Sequence, residues 1–169
     1  MGKKFVCGLF MGRFQPFHKG HMSALKFASA RCKEIVIGIG SSQHFNTERN
    51  PLSSSDRIKI IRAALSGSKT RSAIRVIDVP DFNDNDKWFG YIKSKEPKID
   101  VVFSRNSLVK SIFRDHGITV ISPPWHDRRR LAATKIRGLI RKGRRWQDRV
   151  PKGAVAEINL RKEKIIRSG

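Results

Sequence analysis

Two histidines three residues apart are the first side chains in the sequence whose types and spacing suggest chemistry. His18 and His21 flank Gly20 in the segment G-R-F-Q-P-F-H-K-G-H, which follows an apolar run and precedes a helical pattern. A helix N-terminus presents free N–H groups and a partial positive charge, so it favours phosphate. Two imidazoles placed there can donate hydrogen bonds to phosphate oxygens. The spacing also permits metal ligation, but no third ligand of matching context is evident, so we predict a phosphate site and no protein-held metal.

A second pair of residues whose types suit phosphate binding lies in the last third of the chain. Thr134 and Arg137 are three residues apart at a predicted helix start, so both can face one phosphate group. A guanidinium is planar and permanently charged, which suits phosphate. With 36 Lys and Arg in the chain, a solvated arginine on a basic helix is a strong alternative for any one of them.

Five short apolar runs predict the strands that position these residues. Runs of four to seven residues rich in Val, Ile and Phe are typical of strands buried on both faces. They are Phe5 to Met11, Ile35 to Ile39, Ile74 to Val79, Ile99 to Phe103 and Ile118 to Ile121.

Helical patterns separate the apolar runs. The first follows the spacing Met22, Leu25, Ala28 and Cys32. Ser53 to Asp56 predicts a capping box for the second helix. His116-Gly117 predicts the end of the fourth helix.

Alternation of strand and helix predicts an α/β fold. We expect a Rossmann-like, doubly wound parallel sheet of about five strands over residues 1–125. A short, basic, helical C-terminal part is expected over 126–169, with helices from Ala132 to Lys142 and from Lys152 to Arg161. The whole chain, 1–169, is predicted to be one domain.

Composition limits the classes of function. The chain has 169 residues, 38% of them apolar, and no apolar run approaches the roughly 18 residues that a membrane helix needs. A secretory signal is not evident, and two cysteines make neither a disulfide framework nor a four-ligand zinc site. We therefore expect a cytoplasmic protein that does not associate with membranes. The net charge of +22 favours polyanionic ligands without specifying which.

The full first segment resembles the signature of the nucleotidyltransferase superfamily, whose H-x-G-H motif binds and activates a nucleoside triphosphate. The longer string G-R-F-Q-P-F-H-K-G-H is similar to the corresponding segment of archaeal-type nicotinamide mononucleotide (NMN) adenylyltransferases. The likeness continues over nearly the whole chain, through G-I-G-S-S-Q at 38–43, R-N-P-L at 49–52 followed by Arg57, the segment 80–88, F-S-R-N-S-L-V at 103–109, R-L-A-A-T-K-I-R at 130–137 and W-Q-D-R-V-P at 146–151.

The resemblance implies an enzyme that makes NAD and pyrophosphate from ATP and NMN. The 5′-phosphate of NMN would attack the α-phosphorus of ATP in line, so catalysis would be positioning plus stabilisation of charge on the triphosphate. Mg²⁺ or another divalent cation would be held through the substrate phosphates. A homo-oligomer, a hexamer by family analogy, is expected.

The resemblance also assigns residues to roles. The catalytic residues would be His18, His21 and Arg137. The ATP-binding residues would be Gly12, Arg13, Phe14, Gln15, His18, Gly20, His21, Asn106, Thr134 and Arg137. The NMN-binding residues would be Gln43, Arg49, Asn85 and Trp88. Asn106 can instead cap the following helix, and Trp88 can instead belong to the core.

Two positions depart from the family pattern. Ala132 stands where the second motif has Ser, which removes a hydroxyl donor to the phosphates, and Arg105 replaces the usual Gly. Two other functions remain open at this stage. One is a superfamily enzyme that uses phosphopantetheine or flavin mononucleotide as acceptor. The other is a non-enzymatic nucleic-acid-binding protein, motivated by the charge alone; specific nucleic-acid binding is not expected, because the known recognition motifs are absent.

Overall fold

Strands and helices alternate up to residue 121, and the regular elements described after that residue are helices joined by loops. A computed structural model describes residues 4–68, 70 and 72–169. The strands are β1 (Phe5–Gly12), β2 (Cys32–Gly40), β3 (Ala73–Val79), β4 (Ile99–Phe103) and β5 (Thr119–Ile121). The helices are α1 (Lys19–Ser29), α2 (Ser54–Leu65), α3 (Asn85–Lys95), α4 (Ser107–Asp115), α5 (Ala133–Arg141), α6 (Ala154–Asn159) and α7 (Lys162–Arg167). A 3-10 helix covers Gln147–Arg149.

The five strands form one parallel sheet in the order β3-β2-β1-β4-β5. Leu9 of β1 pairs with Val36 of β2 on one side and with Val102 of β4 on the other. The chain therefore builds outward from β1 in one direction and then in the opposite direction, which is the doubly wound, Rossmann-like arrangement that the sequence predicted. In such sheets ligands bind beyond the carboxyl ends of the strands where this reversal occurs. We therefore expect a ligand site near the carboxyl ends of β1 and β4.

Helices cover both faces of the sheet. On one face, Ile92 of α3 and Phe113 of α4 are buried in a cluster with residues of β1, β2, β3 and β4. On the other, the ring of Phe27 in α1 lies edge-on to Phe103, with 6.3 Å between centroids. Gly8 faces this second layer, where an added Cβ would lie 2.7 Å from Sγ of Cys32 and 2.8 Å from the Phe103 ring. Only a residue without a side chain fits there.

The structure confirms several of the element boundaries predicted from the sequence and shows that one is wrong. Ser53 and Asp56 form the predicted capping box of α2, and α4 ends at Asp115 with His116 as its C-cap, followed by Gly117 with φ +72°. The prediction that Cys32 continues the first helix is wrong. Helix α1 ends at Ser29, and Cys32 pairs with Phe5 as the first residue of β2, so its burial comes from the sheet.

The outer elements also differ from the sequence predictions. Strand β3 alternates between exposed and partly buried residues and β5 is at most partly buried, because both lie at the edges of the sheet. The last predicted helix, Lys152 to Arg161, is shorter in the structure, which has α6 at Ala154–Asn159 and a further helix, α7, at Lys162–Arg167.

The described residues form two compact units. The sheet unit contains residues 4–12, 25–41, 70 and 72–124, and the helical unit contains 13–24, 42–68 and 125–169. The assignment of residues 1–169 to a single domain stays a prediction. Within the described part of the chain, none of the helices has the length and apolarity needed to cross a lipid bilayer.

A buried ionic network joins the C-terminal helices to α2 inside the helical unit. Asp56 accepts hydrogen bonds from Nε of Arg161 at 2.8 Å and from Nζ of Lys164 at 2.7 Å, in addition to its capping contacts with Ser53. Arg161 also binds Glu157. Burial by itself raises the pKa of Asp56, but the donors Lys164, Ser53 and Arg161 outweigh it and lower the pKa to about 2. Asp56 is therefore ionised in the native protein at neutral pH.

Replacing Asp56 with asparagine is expected to lower the free energy of unfolding by about 3 kcal/mol at pH 7, because Arg161 stays buried with part of its charge uncompensated. The folded-state pKa of about 2 lies below the ordinary 3.8. The stabilisation from ionised Asp56 is therefore complete well above pH 4, and roughly half of it is lost by pH 3. Urea unfolding of both proteins from pH 7 to pH 3 measures this, and the difference between them should shrink as the pH falls. A constant difference would contradict the role of the Asp56 charge.

Candidate active site

The loop that leaves β1 is anchored by buried side chains. Phe14 and Phe17 are 1% and 0% exposed. The side-chain amide of Gln15 pairs with the backbone of Leu52, donating to its carbonyl at 2.8 Å and accepting from its N–H at 2.9 Å. These contacts occupy the Gln15 side chain and fix the loop ahead of the two histidines.

His18 and His21 hold one another in place. The backbone N–H of each donates to Nδ1 of the other at 3.3 Å, and the rings stack with 3.6 Å between centroids and 20° between planes. Because each Nδ1 is an acceptor, the proton of each neutral ring lies on Nε2. Both imidazoles therefore present an Nε2–H donor, as the sequence analysis required for a phosphate ligand.

Apolar surroundings keep these rings neutral. The His21 ring lies edge-on to Phe14, with centroids 4.9 Å apart, and 5.4 Å from Phe17. Burial lowers the pKa of His18 to about 4. Burial, and then the neighbouring His18, lower the pKa of His21 well below its ordinary 6.5. At pH 7 the pair thus donates hydrogen bonds without carrying charge, and it does not titrate near neutrality.

Gly20 makes room for the histidine pair. A Cβ at this position would lie 3.0 Å from both Cε1 and Nδ1 of His18 and 3.6 Å from Cβ of Leu131. The ring of His18 has to shift if any side chain is added. The neighbouring imidazole therefore requires that position 20 carry no side chain.

Replacing Gly20 with alanine is expected to reduce turnover about tenfold, because it displaces the His18 ring from its stack. The matched control is Gly90 in α3, where an added Cβ meets no atom within 4 Å. Gly90→Ala should raise the free energy of unfolding by about 0.5–1 kcal/mol and leave turnover unchanged. Steady-state kinetics and thermal unfolding of both variants test the difference. Unchanged turnover in Gly20→Ala would show that the ring position is not critical.

Arg137 is a buried cation with an incomplete set of partners. It is 7% exposed, and its Nη1 donates to the carbonyl of Gln15 at 2.8 Å. Its Nε is buried without a hydrogen-bond partner. Within the part of the chain that the structure describes, no carboxylate pairs with it. Burial, Arg141 and Arg13 lower its pKa, and the nearby Glu48, which pairs with Arg141 instead, raises it. Leaving a charge buried without a counter-ion is costly, so the site favours an anion.

Helix α5, which carries Arg137, starts without a side-chain cap. Its N-cap residue is Ala132, which offers no hydrogen bond to the first turn, and Thr134 in that turn is exposed. The N–H groups of a first turn have no partner within the helix. The departure from Ser at position 132 therefore leaves these donors without the hydroxyl that usually satisfies one of them.

Replacing Ala132 with serine is expected to raise the free energy of unfolding by about 1 kcal/mol, because a hydroxyl at the N-cap accepts from the N–H of the second or third helical residue. Ala133→Ser is the matched control, since position 133 lies inside the helix and lacks the capping geometry. Urea denaturation compares the two variants. A similar change in both would contradict the capping explanation.

The other residues predicted to bind ATP lie in both units. Arg13 is exposed and belongs to the helical unit, whereas Gly12 ends β1 in the sheet unit. Asn106 caps α4, where its side chain accepts from the N–H of Val109 at 3.1 Å. It therefore has the capping role that the sequence offered as the alternative to ATP binding. Arg105, the other departure, is exposed. A role for these residues in ATP binding stays a prediction.

The residues predicted to bind NMN are also divided between the units. Gln43 and Arg49 are exposed in the helical unit, and Asn85 is the exposed first residue of α3 in the sheet unit. Trp88 is partly buried, with its ring edge-on to Phe113 at 5.8 Å between centroids. It packs against the core cluster, so only part of its ring is open to a ligand.

One buried residue has no role in the sequence analysis. Arg57 of α2 is 0% exposed and donates to the carbonyl of Arg13 in the loop after β1 at 3.1 Å. In the sequence only the family resemblance marked it, as the arginine that follows R-N-P-L, and no role was assigned to it. In a chain with 36 Lys and Arg, an arginine on a helix predicts a solvated side chain, and only the structure shows otherwise.

The residues of the site do not form a metal cage. Among the described residues, His, Cys, Asp and Glu side chains nowhere gather in a group of three or more able to ligate a metal ion. The histidine loop offers N–H donors and cations, which suit phosphate oxygens. The donor set of this loop therefore suits the phosphates of a nucleotide.

A family model described as cytidylyltransferase-like matches residues 9–138. The chain belongs to this family. The matched region of this cytidylyltransferase-like protein includes the histidine loop and Arg137.

Curated relatives of this chain carry a more specific name, nicotinamide-nucleotide adenylyltransferase. A nicotinamide-nucleotide adenylyltransferase of Pyrococcus abyssi is 40% identical over 153 residues, covering 90% of this chain and 82% of the relative. The enzyme of the same name from Pyrococcus furiosus is 43% identical over 152 residues, covering 89% and 80%. That from Saccharolobus solfataricus is 40% identical over 146 residues, covering 86% and 85%.

Solved structures show the same fold at low identity. A bifunctional NMN adenylyltransferase/ADP ribose pyrophosphatase from Francisella tularensis, complexed with AMP and a manganese ion, has a TM-score of 0.76 at 18% identity. It covers 96% of this chain, which spans about half, 52%, of that protein. A nicotinate-nucleotide adenylyltransferase structure from Vibrio parahaemolyticus has a TM-score of 0.69 at 14% identity and covers 98% and 97%.

Proposed function

We propose that this protein is a nicotinamide-nucleotide adenylyltransferase, which forms NAD and pyrophosphate from ATP and NMN. The observation that carries the proposal is Arg137, a buried guanidinium that has no carboxylate partner among the described residues and is hydrogen-bonded to the loop of two neutral imidazoles. Such a site attracts the phosphates of a nucleotide. Relatives at about 40% identity over most of the chain bear this enzyme's name, which supports the choice of NMN as acceptor.

The reaction needs no protein nucleophile. An oxygen of the NMN 5′-phosphate attacks the α-phosphorus of ATP, the bond from that phosphorus to the oxygen bridging to the β-phosphate breaks, and pyrophosphate leaves with the electron pair. A phosphate monoester is already anionic near pH 7, so a protein base is not required. Catalysis is then the positioning of two anions and the stabilisation of charge on the triphosphate.

Each group of the histidine loop has a defined task in this reaction. The Nε2–H groups of His18 and His21 donate to phosphate oxygens, and His21 serves the α-phosphate, where charge develops. Arg137 neutralises the triphosphate, supported by Arg13 and by the hydroxyl of Thr134. Gly12, Gly20, Phe14, Gln15 and Asn106 are assigned to the ATP side; the Gln15 side chain, which is occupied by Leu52, contributes there by holding the loop.

The NMN side is assigned to four residues. Gln43 and Arg49 serve the mononucleotide, and Asn85 and Trp88 hold the nicotinamide. The Trp88 ring is only partly buried, and an indole can stack on a pyridinium cation. Mg²⁺ or another divalent cation is brought by the triphosphate and offsets its charge when bound.

Assembly and location are also proposed on the basis of the family. We expect a homo-oligomer, a hexamer by analogy, which light scattering of the purified protein measures. A cytoplasmic location stays a prediction from the sequence.

The acceptor is tested by supplying ATP with one acceptor at a time. Purified protein should transfer AMP to NMN, with NAD and pyrophosphate formed in equal amounts, and should not transfer it to phosphopantetheine or flavin mononucleotide. An Arg137→Met preparation, purified in parallel, controls for contaminating enzymes. Faster transfer to either rival acceptor would overturn the proposal. So would salt-sensitive DNA binding without any adenylyl transfer.

A further inference from the structure

Arg57 joins three separate stretches of backbone through one buried guanidinium. Its Nε donates to the carbonyl of Ser53 at 3.2 Å, its Nη1 to that of Arg13 at 3.1 Å and its Nη2 to that of Ser42 at 3.5 Å. These carbonyls belong to the cap of α2, to the loop after β1 and to the segment after β2. A fully buried, permanently charged side chain holds them together.

The contact with Arg13 acts on the conformation of the next residue. Phe14 has φ +52°, the left-handed region that bulky side chains rarely adopt. This angle sets the orientation of the peptide between Arg13 and Phe14, including the Arg13 carbonyl. A donor fixed on that carbonyl therefore holds Phe14 in a conformation that the residue alone disfavours. Unusual backbone of this kind persists only where the surrounding structure imposes it.

Phe14 in turn contacts the histidine that we assign to the α-phosphate. Its ring lies edge-on to His21, with centroids 4.9 Å apart and planes at 78°. If Phe14 relaxes to negative φ, its ring leaves this position and the His21 ring loses one of its apolar neighbours.

The geometry points to Arg57 as a positioning residue for adenylyl transfer, which keeps the His21 donor in place by holding the Arg13 carbonyl and with it the left-handed conformation of Phe14. The expected effect of Arg57 on turnover rests on the proposed function. The placement of the His21 ring itself does not depend on which nucleotide is used.

Arg57→Lys tests the inference, because lysine keeps the charge but cannot reach three carbonyls at once. Arg161→Lys is the matched control. Arg161 is also a buried arginine, 8% exposed, and it also stabilises α2, through Asp56 rather than through the loop. Thermal unfolding, kcat, the KM for ATP and the pKa of His21 by NMR of labelled histidine are measured for the wild type and both variants, at a temperature where each is folded.

We expect Arg57→Lys to lower kcat about tenfold or more, to change the KM for ATP less, and to raise the pKa of His21 toward its ordinary value. Arg161→Lys should lose thermal stability with kcat and the His21 pKa nearly unchanged. Equal effects of the two variants on kcat and on His21 would overturn the inference.

Two further outcomes are decisive. If Arg57→Lys does not fold, Arg57→Gln, which still donates to one carbonyl, takes its place. Failure of both to fold while Arg161→Lys folds would overturn the inference, since Arg57 would then stabilise the core rather than the loop. If the wild type lacks adenylyl transfer, the proposed function fails, whereas a shift of the His21 pKa in the Arg57 variant alone would still support the positioning role.

Discussion

Replacing Arg137 with methionine is expected to lower kcat/KM for ATP about a thousandfold, or about 4 kcal/mol of transition-state stabilisation. The same change should raise the stability of the ligand-free protein by about 1 kcal/mol, because it removes a buried charge that lacks an ionic partner. If Arg137 only stabilised the fold, its replacement would lower both kcat/KM for ATP and the free energy of unfolding. The opposite signs therefore identify Arg137 as a ligand-binding cation, and steady-state kinetics together with urea denaturation measure them.

Arg141 provides the matched control for Arg137. It lies one helical turn later in α5, donates from Nε to the carbonyl of Ile165 at 3.0 Å and pairs with Glu48. Arg141→Met should therefore lose stability and keep most of the activity. Pyrophosphate should raise the melting temperature of the wild type and of Arg141→Met, but not that of Arg137→Met. Activity of Arg137→Met within tenfold of the wild type would contradict the assigned role.

Replacing His21 with alanine is expected to reduce kcat about a hundredfold to a thousandfold, the usual consequence of removing one preorganised donor from a developing charge. The dissociation constant for ATP should change only a few-fold, because His18 and Arg137 still bind the phosphates. Rapid-quench turnover and equilibrium binding separate the two effects. His126→Ala, which removes an exposed histidine, is the control.

The pH dependence gives a second test of the histidine pair. Burial lowers the pKa of His18 to about 4 and that of His21 well below 6.5. Neither ring should gain a proton between about pH 6 and pH 8, so kcat should show no histidine ionisation there. A kinetic pKa near 6.5 that disappears in His21→Ala would show that the ring titrates and would contradict the neutral-donor model.

Several features of the fold follow from local sequence. Five short runs of Val, Ile and Phe predicted the five parallel strands, because a strand buried in a sheet needs apolar side chains on both faces. Ser53 and Asp56 predicted the capping box of α2 since cap and partner are only three residues apart. Cys32 misled the helix prediction because a buried small residue fits a helix face and a central strand equally well.

Contacts between distant residues were beyond sequence reasoning. Asp56 is recognisable as a cap residue, but its partners, the buried Arg161 and the exposed Lys164, follow more than a hundred positions later. The resemblance assigns Gln15 to the ATP site, and the sequence did not show that its side chain binds the backbone of Leu52. One polar side chain looks the same in a sequence whether it faces a ligand or another segment of the chain.

The sequence by itself determined the α/β architecture and predicted a histidine loop suited to phosphate, since both depend on residue types at short, fixed spacing. Only the tertiary structure decided the state of the groups in that loop. It showed that both Nδ1 atoms accept backbone N–H groups, that Arg137 is buried with no carboxylate partner among the described residues, and that Arg57 holds the Arg13 carbonyl. The proton position, charge and exposure of a side chain are set by what packs around it, and those neighbours come from segments far apart in the chain.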